Sequence, residues 1–255
     1  MSRYFTSDWH LGSSLINKYA NRPFASAGEA AEALVGNCNS IAKFKSDVVF
    51  HVGDFWLENA DRHGVEEDIN TLTAGYDDYI SLVDARLVLL DGNHDNDHNC
   101  EADLKSMVID LNQNYKNVFV SHFPSYHRHY HGPFGNFQKA PRIALCGHVH
   151  DKWLLDYDKQ HHVLNINTGV DVWNYKPVRD SEITKLLDYV LEEHDFVMSW
   201  HKTPAEFGIW KKNNDKRHAE IRAKRKQEKL KKKGLTLEDC ERRRIEAMKA
   251  KGLIV

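Results

Sequence analysis

The sequence predicts an α/β fold, on the basis of apolar strands, an amphipathic crossover helix and polar turns at the strand ends. Residues 3–7, 47–52 and 87–90 have the apolar character of strands. An amphipathic helix is predicted between the first two of them. A strand, a crossover helix and a parallel strand form the basic α/β unit, in which ligands collect beyond the carboxyl ends of the strands.

The crossover helix is predicted from its start signal and from the spacing of its apolar residues. Ser26 and Glu29 have the spacing of a capping box. The apolar residues at helical intervals are Ala27, Ala30, Ala31, Leu34, Cys38 and Ile41. A weaker helical pattern lies within residues 66–84. Later patterns predict a helix at 100–111, strands at 118–120, 142–146 and 163–167, and a helix at 182–191.

The composition is typical of a globular protein. With 255 residues, 41% hydrophobic and 28% charged, the chain is long enough to bury a full core. No apolar run approaches the roughly 18 residues that a membrane span needs. A strand begins at Arg3 and leaves no room for a signal peptide, so we expect a cytoplasmic protein without a membrane partner. The four cysteines form no C-x-x-C pair, so we expect reduced thiols.

The net charge of −2 hides an uneven distribution along the chain. Residues 211–255 contain 17 Lys and Arg against 7 Asp and Glu, a net charge of +10, which leaves −12 on residues 1–210. We therefore expect a domain at residues 1–203 and a basic, mostly helical or partly disordered tail at 204–255. The tail could bind nucleic-acid phosphates, although a solvated arm is the commoner explanation of such a charge run.

Metal-binding residue types follow five of the strand-end candidates. The five blocks are Asp8-Trp9-His10, Gly53-Asp54, Gly92-Asn93-His94-Asp95, the single His122, and Gly147-His148-Val149-His150. Each block alone could be an ordinary polar loop. Five such coincidences in one chain are improbable, so we expect these side chains to converge in one cleft.

Taken in order, the five blocks resemble the calcineurin-like metallophosphoesterase superfamily, whose pattern is D-x-H, G-D, G-N-H-[DE], a single His and G-H-x-H. The resemblance covers residues 1–190, and the closing stretch at 167–178 resembles a small bacterial or phage branch. It implies a four-layer αββα sandwich of two mixed β-sheets flanked by helices.

The same resemblance implies two divalent metal ions. Carried over residue by residue, it assigns one ion to Asp8, His10, Asp54 and His150, and the other to Asp54, Asn93, His122 and His148. Asp54 would bridge the two ions. Mixed imidazole, carboxylate and amide ligands favour Mn²⁺, with iron, Zn²⁺ or Ni²⁺ as alternatives. Such a pair can share a hydroxide for in-line attack on a phosphate ester.

His94 adjoins a predicted ligand without being one. We expect it to stabilise the transition state or to protonate the leaving oxygen, with Asp95 fixing its tautomer. A bound phosphate also needs a positive group outside the metals. Arg22, His127 and Arg128 are the substrate-binding candidates, and each is equally well explained as a surface residue.

The predicted function is that of a metal-dependent phosphoesterase, a phosphodiesterase or phosphatase acting on nucleotides or other small phosphate esters. One alternative is a DNA or RNA nuclease that uses the basic tail, although the chain lacks a large DNA-capping domain. The other alternative is a catalytically weak binding or scaffold protein on the same fold. The completeness of all five blocks counts against it.

Overall fold

The computed structural model describes residues 1–57, 76–95, 102–136, 138–191, 201–203 and five positions between 205 and 212. The chain divides into two units, Met1–Pro204 and Ala205–Val255. Almost all described residues belong to the first unit, so the predicted basic tail lies largely outside them. The first unit is a mixed α/β structure with two mixed sheets.

The first sheet has four strands in the order β3-β2-β1-β9. Its strands are β1 (Arg3–Thr6), β2 (Val48–Val52), β3 (Arg86–Leu90) and β9 (Val178–Arg179). β1, β2 and β3 are parallel, and β9 pairs antiparallel with β1. The carboxyl ends of the three parallel strands therefore lie at the same end of the sheet.

The second sheet has six strands in the order β10-β7-β8-β6-β5-β4. Its strands are β4 (Ser106–Ile109), β5 (Val118–Ser121), β6 (Arg142–Cys146), β7 (Leu155–Asp158), β8 (Val163–Asn167) and β10 (His201–Lys202). β5, β6 and β8 are parallel, and the other strands pair antiparallel with their neighbours. In this sheet, too, the carboxyl ends of three parallel strands therefore lie at the same end.

Four α-helices are described in the first unit, namely α1 (Leu15–Tyr19), α2 (Ala27–Ile41), α3 (Tyr76–Ser81) and α4 (Asp180–Leu191). The predicted start of α2 is confirmed, because the Glu29 N–H donates to Ser26 Oγ over 3.1 Å. The Glu29 carboxylate in turn accepts a 2.7 Å hydrogen bond from the backbone N–H of Ala25. The first bond satisfies an amide donor that the first turn of a helix leaves without a partner, and the second fixes the chain just before the cap.

The first sheet is buried on both faces. On one face, Tyr4 and Val49 pack in a core cluster with Leu34 of α2. On the other face, the rings of Phe5 and Phe50 stack with centroids 5.3 Å apart. Burial on both faces is typical of parallel strands covered by other elements, and it explains their continuously apolar sequences. Each fully buried large side chain contributes about 1.5–3 kcal/mol to the stability of this core.

Most predicted elements of the first unit are confirmed to within a few residues. The confirmed strands are those predicted at 3–7, 47–52, 87–90, 118–120, 142–146 and 163–167. The confirmed helices are α2, which begins at Ala27, and α4, which ends at Leu191. Part of the weak pattern at 66–84 lies outside the described residues, and α3 occupies its end. No described helix is long and apolar enough to cross a membrane. Cys38 and Cys146 are buried free thiols.

The predicted helix at 100–111 is wrong, because its described part contains the strand β4. The partly buried Met107 and Ile109 alternate with the exposed Ser106 and Val108, which is the two-residue period of a strand. β4 pairs antiparallel with β5 along its whole length. A run this short fits either period, so pairing with a neighbouring strand decides its conformation.

Candidate metal centre

The seven predicted metal ligands all follow the carboxyl ends of parallel strands. Asp8 and His10 follow β1, Asp54 follows β2, Asn93 follows β3, His122 follows β5, and His148 and His150 follow β6. Three overlapping groups of side chains have ligand atoms within 4.8 Å of one another. The groups are Asp8, His10 and His150; His10, Asp54 and His94; and Asp8, Asp54 and His122. The predicted convergence therefore includes His94.

The backbone is left-handed at five of the seven predicted ligands. Their φ angles are 60° at Asp8, 49° at His10, 58° at Asp54, 72° at His148 and 51° at His150. This region is unfavourable for side chains with a Cβ, by roughly 1–2 kcal/mol per residue. Such outliers persist only where the surrounding structure holds them, and they concentrate at functional sites.

Two glycines allow the strand-end turns to approach each other closely. A Cβ on Gly147 would lie 2.5 Å from Ser7 Oγ and 2.6 Å from the Asp8 carboxylate. A Cβ on Gly92 would clash with both the carboxylate and the backbone nitrogen of Asp54. These glycines are therefore needed for close approach between turns.

The first predicted ligand group combines two carboxylates with two imidazoles. His10 Nε2 lies 3.5 Å from Asp54 Oδ2, and His150 Nε2 lies 3.9 Å from Asp8 Oδ1. The rings of His10 and His150 stack at 5.1 Å. Asp8 is held in place by the backbone N–H of His148, which donates to its carboxylate over 2.9 Å.

The second predicted ligand group shares Asp54 with the first. His122 Nε2 lies 3.3 Å from Asp54 Oδ2 and 3.0 Å from Asn93 Oδ1. His148 Nδ1 lies 2.9 Å from the same Asn93 oxygen. Asp54 Oδ2 thus faces both groups, while Asp54 Oδ1 accepts a 3.0 Å hydrogen bond from the His94 N–H.

The donor set fits a metal ion. Among the described residues, neither buried ring nitrogen of His10 has a hydrogen-bond partner, yet Nε2 lies 3.5 Å from Asp54 Oδ2. A metal ion between an imidazole nitrogen and a carboxylate oxygen, with bonds of about 2.0–2.2 Å, would place those atoms about 3.0–3.5 Å apart. The His10–Asp54 and His122–Asp54 separations lie in this range.

Within the part of the chain that the structure describes, His51 is likewise buried without a hydrogen-bond partner, but its environment differs from that of His10. Its ring meets the ring of Trp9 edge-on at 5.3 Å and that of Phe55 at 5.1 Å. Burial lowers the pKa of His51 to about 3, so the ring is neutral. Aromatic neighbours make His51 a core residue.

Burial favours the neutral form, which has a free nitrogen lone pair, in two of the histidines. Burial lowers the pKa of His10 well below its ordinary value, and burial together with His122 lowers that of His148 to about 4. Both imidazoles are therefore neutral at pH 7, the form that binds metals. Burial opposes protonation of His122, but the Asp54 carboxylate raises its pKa to about 9. Without a metal, a protonated His122 offsets the charge of Asp54.

Sequence reasoning missed Asp171, which connects His150 to Arg22. Asp171 lies in a short 3-10 turn, Val170–Val172, just beyond β8. Its Oδ2 lies 3.1 Å from His150 Nδ1, and its carboxylate pairs with the Arg22 guanidinium at 2.7 and 3.0 Å. A carboxylate at Nδ1 selects the tautomer that leaves Nε2 free, as second partners of metal-binding histidines do. The position of Asp171 just after a strand was the available signal.

Arg22, predicted to bind substrate, instead has a fully buried side chain. Its guanidinium is buried, and it donates to Asp171 and to the backbone carbonyls of Asp8 and Trp9. These hydrogen bonds fix the backbone of the turn that carries Asp8. Arg22 therefore acts on the site through Asp171 and the backbone.

His127 and Arg128 differ in their distance from the centre. His127 stacks on Phe123 with ring centroids 4.6 Å apart, and its ring lies 4.8 Å from that of His148. Arg128 is exposed, and its Nε donates to His129 Nε2 over 3.0 Å. Of these two candidates, only His127 contacts a predicted metal ligand among the described interactions.

Asp95 has a different role from the one predicted. Its carboxylate accepts hydrogen bonds from the backbone N–H groups of Asp54, Gly92, Phe55 and Trp56 over 2.7–3.3 Å. Both of its oxygens thus accept from backbone amides, and no bond to the His94 ring is among the described interactions. Asp95 therefore fixes the turns that carry Asp54 and Asn93.

The comparisons with known proteins place the chain in a family. No protein-family model matches it. The uncharacterized protein MJ1445 of Methanocaldococcus jannaschii is 30% identical over 190 residues, which cover 72% of this chain and 90% of that protein. The chain therefore belongs to the same family as this archaeal protein.

A solved structure also resembles the chain. It is the crystal structure of the protein of unknown function AQ665 from Aquifex aeolicus, with a TM-score of 0.47 and 19% sequence identity. The matched region covers 72% of this chain and 98% of that chain.

Proposed function

We propose that this protein is a dinuclear metal-dependent phosphoesterase acting on nucleotides or other small phosphate esters. The observation that carries the proposal is the position of Asp54 Oδ2, 3.5 Å from His10 Nε2 and 3.3 Å from His122 Nε2. A carboxylate oxygen that faces two separate sets of ligand-type side chains suits a bridge between two ions, which in such sites lie about 3.5–4 Å apart.

The residues present would hold the two ions as the resemblance implies. One set is Asp8, His10, Asp54 and His150, and the other is Asp54, Asn93, His122 and His148. Bound divalent cations supply Lewis acidity toward phosphate oxygens and lower the pKa of water to near neutrality. Manganese is the first candidate for this ligand set.

His94 is the proposed proton donor to the leaving oxygen. Its ring lies 5.2 Å from that of His10, and the residue is only partly buried. Its backbone is fixed by the hydrogen bond to Asp54 Oδ1. A positioned imidazole of this kind contributes typically about 10²–10⁴-fold to a rate.

The proposal includes the four-layer αββα architecture. Support comes from the burial of both faces of the first sheet and from the packing of α2 on one of them. Hydrogen bonds also link the two sheets near their strand ends, such as that between His122 Nδ1 and the Val52 carbonyl.

The test is hydrolysis of bis(p-nitrophenyl) phosphate and of p-nitrophenyl phosphate by metal-stripped protein re-supplied with Mn²⁺. We expect manganese-dependent turnover that falls at least about 100-fold in His94→Ala and is lost in Asp54→Asn. His161→Ala, at the opposite end of β8, is the control and should retain activity. If manganese-loaded protein cleaves neither ester, or if Asp54→Asn remains fully active, the proposal is refuted.

A further inference from the structure

A cavity of about 310 Å³ opens beside the candidate metal centre. Its lining includes Asn93, Lys105, Ser106, Phe119, Phe123 and His131. We call it the Asn93 cavity. Its volume lies at the lower end of the range for small-molecule sites, about 300–1,000 Å³, so it suits one compact organic group.

The Asn93 cavity adjoins the centre, because two of its wall residues, Asn93 and Phe123, contact predicted metal ligands. The Asn93 side chain is itself a predicted metal ligand and contacts His122 and His148. The Phe123 ring lies 5.0 Å from the ring of His122 and 5.1 Å from that of His148. An organic group attached to a phosphate at the centre can therefore extend directly into the cavity.

The walls of the Asn93 cavity combine aromatic surface with hydrogen-bond donors. Phe119 and Phe123 provide two rings, of which Phe119 is almost fully buried in β5. Lys105 and His131 are exposed side chains at the same cavity, and they can donate to ring nitrogens and carbonyl oxygens. A planar heterocycle uses both features, because its face stacks on aromatic rings while its edge accepts hydrogen bonds.

We propose that the Asn93 cavity binds the nucleoside part of a nucleoside phosphate ester and so selects this substrate class. The inference rests on the proposed phosphoesterase function. A sugar phosphate without a base would make no use of the aromatic wall that Phe119 and Phe123 form. An alkyl ester would use the rings but not the donors.

The experiment compares two chromogenic diesters that release the same leaving group, p-nitrophenolate. One is thymidine 5′-(p-nitrophenyl phosphate), and the other is methyl p-nitrophenyl phosphate. The full chain loaded with Mn²⁺ should cleave the nucleoside ester with a kcat/KM at least about tenfold higher, which is the size of effect that stacking of one base provides. Equal kcat/KM values for the two esters would overturn the inference and leave the phosphoesterase proposal intact.

Two variants on one strand locate the effect. Ser106→Trp fills the cavity from its wall, while Val108→Trp places the same side chain two residues further along the same face of β4, where Val108 is 55% exposed and does not line the cavity. The nucleoside preference should fall to about twofold or less in Ser106→Trp and stay unchanged in Val108→Trp. An equal effect of both substitutions would contradict a role of the cavity.

A binding measurement keeps the cavity testable if the catalytic proposal fails. When neither ester is cleaved, equilibrium dialysis with thymidine 5′-monophosphate and manganese-loaded protein decides the question. Binding that is lost only in Ser106→Trp supports the nucleoside site. Absence of binding, or binding that Ser106→Trp leaves unchanged, overturns it.

Discussion

Replacing Asp171 by Asn tests the role of the Arg22–Asp171–His150 chain. The substitution keeps the size of the side chain but replaces one carboxylate oxygen by an amide NH₂. Arg22 only donates hydrogen bonds, so it will retain the amide oxygen, and the NH₂ then turns toward His150 Nδ1. An imidazole that accepts at Nδ1 carries its proton on Nε2. This is the wrong tautomer for a metal ligand at Nε2.

The expected size of the effect follows from the burial of the chain. Loss of a partner that orients a metal-binding histidine typically lowers metal affinity 10–100-fold, or about 1.4–2.7 kcal/mol. The side chains of Arg22 and Asp171 are 0% and 1% exposed, so the guanidinium also loses its counter-charge in a dry environment. Removing one partner of a buried pair costs about 3–5 kcal/mol, and the retained amide hydrogen bond reduces that cost.

Two measurements separate the effects on affinity and stability. Titration calorimetry with Mn²⁺ gives the affinity of each site, and urea unfolding of the metal-free protein gives the stability. Asp151→Asn is the matched control, because Asp151 is an exposed carboxylate beside His150 in the sequence. If Asp171→Asn folds and binds Mn²⁺ as tightly as the unsubstituted protein, then Asp171 does not select the metal-binding tautomer of His150.

Three further predictions concern the turns, the charges and the helix start. Gly92→Ala should reduce metal binding and lower the free energy of unfolding by about 1–3 kcal/mol, because the added Cβ meets Asp54. Gly36→Ala, in an open helical position, should instead raise the free energy of unfolding by about 0.5–1 kcal/mol. Urea unfolding with and without Mn²⁺ checks both. Metal-free protein should lose stability as the pH rises from 6.5 toward 9, because folding raises the pKa of His122 to about 9 and protonated His122 stabilises the folded state below that pH. Unfolding curves that show constant or rising stability across this pH window would contradict the prediction. Ser26→Ala should cost about 1 kcal/mol through loss of the cap, whereas Ser40→Ala, an exposed position later in α2, should change stability by less than about 0.5 kcal/mol in the same assay.

The sequence was sufficient to find the strand ends that meet, because metal-binding residue types there stand out against apolar strands. Asp8, Asp54 and His148 could be located in this way without knowledge of the structure. Sequence patterns could not separate a helix from an edge strand at β4, because four residues fit both periods. The strand Leu155–Asp158 was not predicted either, since its alternation is equally short.

The directions of individual side chains were harder to predict than their locations. Arg22 and Asp95 both lie near the site, as predicted, but their observed partners differ from the predicted ones. A guanidinium beside a cleft can face the cleft or the backbone behind it, and only the positions of Asp171 and the Asp8 carbonyl decide between them. The donors that surround Asp95 are backbone amides of a separate turn, which no side-chain pattern records.

The left-handed backbone at Asp8, His10, Asp54, His148 and His150 has a consequence for how the family can change over time. Glycine adopts these angles without a steric cost, and asparagine tolerates them better than most residues. A copy of this protein released from selection for its site would gain stability by accepting glycine or asparagine there. The ligand-type residues should therefore be among the first to disappear from a relative that no longer uses the site, while the strands that end at them persist.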